Sequence, residues 1–136
     1  MIQRIKELAG KIAPEAIEIR HHLHAHPELS FEEHETAAFV CKKLTEWNIS
    51  HRIMAKTGVV AVIEGKDPGS RITALRADMD ALPILEQNDV SYRSTRPGIM
   101  HACGHDVHTT CLLGAAKLLN ETRKEWSGTV KLIFQP

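Results

Sequence analysis

The stretch HDVHTTCLLGAAKLLNETRKEWSGTVKLIFQP, residues 105–136, decides the fold class because it passes from a helical pattern to a strand pattern. Its first half repeats apolar residues three and four positions apart, which predicts a helix from His105 to about Glu121. Its second half, residues 128–136, is a short apolar run typical of a buried strand. The predicted apolar face of the helix consists of Val107, Cys111, Leu112, Ala115, Leu118 and Leu119.

The residues before this unit predict two helices followed by three strands. Apolar residues at helical spacing indicate a first helix from Ile2 to the segment HPELS at 26–30. Ser30 and Glu33 match a capping box, which predicts the start of a second helix that ends near Trp47. This element order is typical of an α/β domain. The three strands are predicted from β-branched runs at 49–54, 58–64 and 71–76.

Composition argues against several classes of function. The 136 residues are 43% hydrophobic and 25% charged, which fits one globular domain or a part of one. Seventeen basic residues balance seventeen acidic ones, so we expect neither nucleic acid nor a membrane surface as partner. No apolar run approaches the roughly 18 residues of a membrane helix. Three irregularly spaced cysteines favour a reduced, cytoplasmic compartment over a disulfide framework.

The segment MHACGHDVH, residues 100–108, has the composition of a metal site. Cys103 and His105 are separated only by Gly104, and a loop can turn both side chains toward one point. Cys103 precedes a predicted helix N-terminus, where the helix dipole favours a thiolate. Thiolate and imidazole together suit zinc or a similar divalent ion. The alternative is a small buried cysteine next to a capping histidine.

The segment RADMDALP, residues 76–83, places two carboxylates at the end of a predicted strand. Asp78 and Asp80 alternate, so their side chains can share one face with that of Arg76. Carboxylates this close repel unless a cation or metal lies between them. The pair is therefore a candidate for the active site, although a solvated pair that caps turns remains the alternative.

The histidines and cysteines outside these segments have structural interpretations. Five histidines lie in HHLHAHPELSFEEHE, residues 21–35, but they do not repeat on one helical face. With glutamates around them, they are interpreted as a solvated or domain-contacting helix end. Cys41 and Cys111 lie on apolar helical faces and are assigned to the core.

Five segments taken together resemble one known family. They are HAHPELSFEEHET, TGVVAVIEG, ALRADMDALPI, HACGHDVHTTCLLGAAKLL and GTVKLIFQP, in this order. They are similar to the metal-dependent amidohydrolases and peptidases, in the branch of hippurate hydrolases, auxin-conjugate hydrolases and N-acetyl-diaminopimelate deacetylases. The resemblance implies the N-terminal part of a three-layer, zinc-exopeptidase-like α/β domain with a mixed sheet flanked by helices.

The resemblance also implies roles for particular residues. Cys103 and His105 correspond to metal ligands, and Asp78 and Asp80 to the position of an active-site aspartate, with Asp78 ranked first. Such enzymes carry two divalent ions, which are zinc, manganese, nickel or cobalt. Residues 1–136 would be the N-terminal portion of the catalytic domain. The rest of that domain, including the general-base glutamate expected after FQP, and a dimerisation domain would be absent.

These expectations define one main function and two alternatives. The intact parent is expected to hydrolyse the amide bond of N-acyl amino acids and to form a homodimer, whereas the fragment itself is expected to show little activity. One alternative is a cysteine amidase with Cys103 as nucleophile and His101 or His105 as base. The other alternative is a metal-binding or dimerising module without catalytic activity.

Overall fold

The computed structural model describes residues 2–136 and shows a mixed α/β fold, as the sequence predicted. Four of the elements agree with the predicted ones to within two residues at each end, and α3 and β2 have the predicted bounds. Strand β3 extends to Asp78, so the first candidate carboxylate ends a strand. The elements are α1 (Ile2–Ala25), α2 (His34–Glu46), β1 (Ser50–Met54), β2 (Gly58–Glu64), β3 (Ile72–Asp78), α3 (His105–Glu121) and β4 (Thr129–Gln135).

The four strands form one sheet in the order β1-β2-β4-β3. Strand β2 pairs antiparallel with β1 and with β4, whereas β3 and β4 are parallel. Parallel neighbours need a crossover connection, and α3 supplies it between β3 and β4. The carboxyl ends of β3 and β4 therefore lie at the same edge of the sheet, where Asp78 is opposite Gln135.

The core lies between the helices and one face of the sheet. Alternate residues of β2 and β4 are buried there, including Ala61, Leu132 and Phe134. Helices α2 and α3 cover them with residues such as Val40 and Leu113. Residues 2–136 thus supply two layers of the expected three-layer arrangement, the sheet and the helices on one face. None of the helices in this part of the chain has the length and apolar character needed to cross a membrane.

The buried face of α3 differs from the predicted one. Val107 is 43% exposed and Cys111 is exposed, so the assignment of Cys111 to the core was wrong. The buried face instead includes the polar residues Asp106 and Thr109 together with Leu112, Leu113 and Ala116. Thr109 is drawn inward because its hydroxyl donates a hydrogen bond to the carbonyl oxygen of Asp78 at 2.9 Å. Cys41, by contrast, packs against the core as predicted.

Helix α2 begins three residues later than the capping box predicted, with Glu33 and not Ser30 as its N-cap. The side chain of Glu33 makes no capping hydrogen bond. The carboxylate of Glu28, which precedes the helix, accepts hydrogen bonds from the amides of Glu35 and Thr36 at 3.0 and 2.7 Å. A carboxylate from outside the helix therefore satisfies two of its free amides, as a side-chain cap would do.

The histidine-rich segment at 21–35 is only in part the solvated or domain-contacting helix end that the sequence suggested: His22 and His34 are exposed, but other members are buried. His24, Glu28 and Glu33 are all less than 5% exposed. Each is buried because it has a distant polar partner: Glu33 accepts a hydrogen bond from the hydroxyl of Thr57 at 2.6 Å, for example. The partners of Glu33 and His24 are 24 or more residues away along the chain. Local periodicity therefore cannot predict them.

Candidate metal centre

The sheet topology brings the two candidate aspartates to the start of α3. Asp78 is the last residue of β3, Asp80 lies two residues beyond it, and His105 is the first residue of α3. Gly104, which precedes His105, has a φ of +93°, a conformation that residues other than glycine rarely adopt. The turn at Gly104 thus lets the chain enter the helix with His105 close to the end of β3.

Both ring nitrogens of His105 face an aspartate. Its Nδ1 lies 2.9 Å from Oδ1 of Asp80 and 2.9 Å from the carbonyl oxygen of the same residue. Since both oxygens accept hydrogen bonds, Nδ1 carries a proton and donates it. In the neutral ring the lone pair is then on Nε2, which lies 3.5 Å from Oδ2 of Asp78. This is the arrangement of a metal-binding histidine oriented by a carboxylate.

Asp78 is held in its ionised form by its neighbours. His108 donates from Nδ1 to Oδ1 of Asp78 at 2.7 Å, and Arg76 lies 3.3 Å from Oδ2. Burial by itself would raise the pKa of Asp78, but hydrogen bonds from His108 and from the backbone, together with the charge of Arg76, lower it below its ordinary value. Asp78 therefore presents a carboxylate, the form that binds cations.

Asp78, His105 and His108 form a group that could hold a metal ion. One ligand atom from each lies within 4.8 Å of the others. Two imidazoles and a carboxylate are a donor set that suits zinc, manganese, nickel or cobalt, so the residues present fit such an ion. A cation would take the place of the proton that His108 shares with Asp78. His108 was not among the predicted ligands, although its spacing of three residues from His105 places both on one helical face.

Cys103 is in the expected loop but outside this group. Its side chain is exposed, and its sulfur is not among the three clustered ligand atoms. His101 is instead buried, with only 5% of its surface exposed, and burial lowers its pKa to about 4. It is therefore neutral at physiological pH. Its Nδ1 has no hydrogen-bond partner among residues 2–136.

Carboxylates at the end of a parallel strand and histidines at the start of the crossover helix define an α/β domain with a candidate divalent-metal centre. Residues 74–136 match the sequence profile described as Peptidase family M20/M25/M40. This segment is therefore similar to the M20 family. The family resemblance drawn from the sequence motifs is therefore confirmed.

Similarity to named proteins extends over most of the chain. The chain is 46% identical to an N-acyl-L-amino acid amidohydrolase of Geobacillus stearothermophilus, over 98% of this chain and 36% of that protein. It is 56% identical to an N-acetyl-L-cysteine deacetylase of Bacillus subtilis, over 88% of this chain and 29% of that protein. The chain thus spans about a third of the length of these relatives.

A solved structure has the same fold. It is a Bacillus subtilis protein described as a dinuclear metal binding peptidase from the M20 family. The two chains superpose with a TM-score of 0.86 at 45% identity, over 96% of this chain and 36% of the other. The fold prediction is confirmed at the level of a mixed α/β domain of M20 type.

Proposed function

We propose that residues 1–136 form the N-terminal portion of the catalytic domain of a metal-dependent amidohydrolase that cleaves the amide bond of N-acyl amino acids. The observation that carries the proposal is the convergence of Asp78, His105 and His108, with Asp80 behind His105. The names of the relatives support the reaction class, since they include an N-acyl amino acid amidohydrolase and a deacetylase.

The cofactor proposed is a pair of divalent ions, zinc, manganese, nickel or cobalt. The M20 neighbour described as a dinuclear metal binding peptidase supports the number of ions. Asp78, His105 and His108 would hold an ion, and Cys103, exposed and two residues before His105, is proposed as a further ligand. When bound, such ions would polarise the amide carbonyl and would lower the pKa of a bound water toward about 7.

The residues of this chain would act by binding and orienting groups. Asp80 keeps the proton of His105 on Nδ1, so that Nε2 remains free as a ligand. Asp78 supplies a negative charge that offsets the charge of a cation. The general base is proposed to be the glutamate that follows the FQP segment in the family pattern. No residue in 1–136 is assigned that role.

The domain arrangement, assembly and location are also proposals. Strand β3 is at an edge of the sheet and exposes Ile72 and Leu75 by 63% and 37%. An apolar edge strand of this kind supports the interpretation that further chain of the same domain covers it in the full-length protein. A homodimer rests on the family resemblance alone, and a cytoplasmic location rests on three cysteines that are all free.

The test is metal-dependent hydrolysis by the full-length gene product. N-acetyl and N-benzoyl amino acids are offered before chelation, after chelation, and after addition of zinc, manganese, nickel or cobalt. We expect activity to disappear on chelation and to return with at least one ion. Replacement of Asp78 by Asn should lower activity, whereas replacement of the exposed Asp89 should not. Activity that is indifferent to chelation would refute the proposal.

The same experiment discriminates the two alternatives. A cysteine amidase would resist the chelator and lose activity on alkylation of Cys103. Cys103 is exposed, and its sulfur lies outside the group formed by Asp78, His105 and His108. A module without catalytic activity would bind metal, as measured by elemental analysis, but would hydrolyse none of the substrates.

A further inference from the structure

His24 is buried between two carboxylates. Its Nδ1 lies 2.8 Å from Oδ2 of Asp106, and its Nε2 lies 2.8 Å from Oε1 of Glu86. The exposed fractions of the three residues are 3%, 1% and 4%. None of the three belongs to the metal-binding group described above. A fully enclosed array of three ionisable side chains needs a physical reason, because unpaired buried charges are strongly unfavourable.

The hydrogen-bond pattern assigns a protonation state to each member. An ionised carboxylate can only accept hydrogen bonds, so an imidazole that contacts one at each nitrogen must donate from both. His24 is therefore an imidazolium. Burial by itself would raise the pKa of Glu86, but hydrogen bonds from the amide of Ser94 and from His24 lower it, which keeps Glu86 ionised. Asp106 has a second cationic partner, since Nε of Arg20 donates to its Oδ2 at 3.0 Å.

These contacts join three parts of the chain. Arg20 and His24 are one turn apart on α1, Asp106 is the second residue of α3, and Glu86 lies in the segment between β3 and α3. Glu86 also accepts a hydrogen bond from the amide of Ser94, farther along that segment. His24 is the member that touches both carboxylates. It links the connecting segment to the helix start through α1.

The link reaches the metal centre through one peptide bond. Asp106 directly follows His105, and its Oδ1 accepts a hydrogen bond from the amide of Val107 at 2.9 Å. Its side chain is thus held at both ends, by the first turn of α3 and by α1. Loss of these contacts would free the first turn of α3, and with it the backbone of His105, to shift. Because metal affinity depends on ligand orientation, such a shift would weaken ion binding.

We propose that His24 is a positioning residue for the metal centre, an imidazolium that holds Asp106 and Glu86 together and thereby sets the orientation of His105. This inference rests on the proposed metal centre. It assigns to the histidine-rich segment of α1 a function that neither the motif pattern nor the family match indicates. His24 does not touch the ion, and its effect is transmitted through Asp106.

The test compares the zinc affinity of folded variants, measured by competition with a chromogenic chelator near neutral pH. His24→Gln can donate to only one carboxylate, and we expect zinc to bind about 10-fold more weakly, as for other residues that orient metal ligands. His22→Gln is the matched control, because His22 is exposed on the same helix and stacks on Phe39. It should retain the wild-type affinity. Circular dichroism at the same temperature selects variants that are folded.

A role in stability alone predicts a different result. Folded His24→Gln protein would then melt at a lower temperature but bind zinc as tightly as the wild type, which would overturn the inference. If His24→Gln does not fold, Glu86→Gln replaces it and should weaken zinc binding in the folded chain. Wild-type zinc affinity in that variant would also overturn the inference.

A measurement on the wild type is independent of these variants. Nitrogen-15 NMR of the His24 ring should show both nitrogens protonated near neutral pH, and one unprotonated nitrogen would overturn the inference. Failure of the wild-type chain to bind zinc would instead contradict the metal centre itself, and the positioning role would fall with it. Tight binding by both wild type and His24→Gln would leave the metal centre intact and reject only the role of His24.

Discussion

Replacement of Asp80 by asparagine tests whether Asp80 orients the metal ligand His105 or is itself a metal ligand. In the structure Asp80 offers two acceptors to Nδ1 of His105, its carboxylate and its backbone carbonyl, each at 2.9 Å. The substitution removes the charge but leaves the carbonyl in place. Nδ1 can therefore still donate, and the lone pair stays on Nε2 where an ion would bind.

The size of the effect follows from this geometry. A hydrogen bond to a charged group contributes about 1.5–3 kcal/mol, and one between neutral groups about 0.5–1.5 kcal/mol. The difference is about 1 kcal/mol, which corresponds to a roughly fivefold weaker metal affinity. Asp78→Asn removes a carboxylate of the metal-binding group itself and should weaken metal affinity clearly more than fivefold. Asp89→Asn removes an exposed charge outside the site and should cost nothing measurable.

The assay is competition for zinc between each variant and a chromogenic chelator at constant pH and ionic strength. We expect the order Asp89→Asn, Asp80→Asn, Asp78→Asn from tightest to weakest. A loss for Asp80→Asn as large as for Asp78→Asn would mean that Asp80 is a ligand and not an orienting residue. Affinity unchanged from the wild type would mean that its carboxylate does not act on His105 at all.

Two further predictions concern stability. The pKa of His101 falls from its ordinary 6.5 to about 4 on folding. Between these two pH values the unfolded chain therefore binds a proton at His101 that the folded chain does not bind. The stabilising contribution of neutral His101 should be complete above pH 6.5, and the free energy of unfolding should fall by about 3 kcal/mol as the pH decreases toward 4. Urea unfolding measures this decrease, which should be smaller in His101→Leu. In the second, a Cβ on Gly65 would lie 2.5 Å from the ring of Trp126, so Gly65→Ala should cost about 1–3 kcal/mol in the free energy of unfolding. Gly69→Ala, with nothing within 4 Å of the added atom, is the control, and equal losses in the two variants would contradict the steric explanation.

Local pattern predicted most of the secondary structure because it depends on neighbours in the chain. The bounds of β2 and α3 agree with the prediction, and β1, β3 and β4 agree to within two residues. The start of α2 was wrong because its free amides are satisfied by Glu28, a residue outside the helix, and not by Ser30. The buried face of α3 was misplaced because hydrogen bonds from distant elements draw Asp106 and Thr109 inward.

The candidate site was predicted in part. Asp78, Asp80 and His105 were singled out from two motifs, and the structure brings these three together. His108 lies in the same segment as His105 but was not a predicted ligand, and the structure adds it to the group. Ligation by Cys103 remains a prediction, since its sulfur lies outside the group.

The amino-acid sequence by itself determined the α/β class, the resemblance to the M20 family and the residue types available for binding a metal. These properties depend on periodicity and on short motifs, which involve residues close together in the chain. Only the tertiary structure decided which nitrogen of His105 is free and that His24 is buried between Asp106 and Glu86. The physical reason is that charge and hydrogen-bond partners are chosen in space. His24 and Asp106 are 82 residues apart in the chain yet share a hydrogen bond of 2.8 Å.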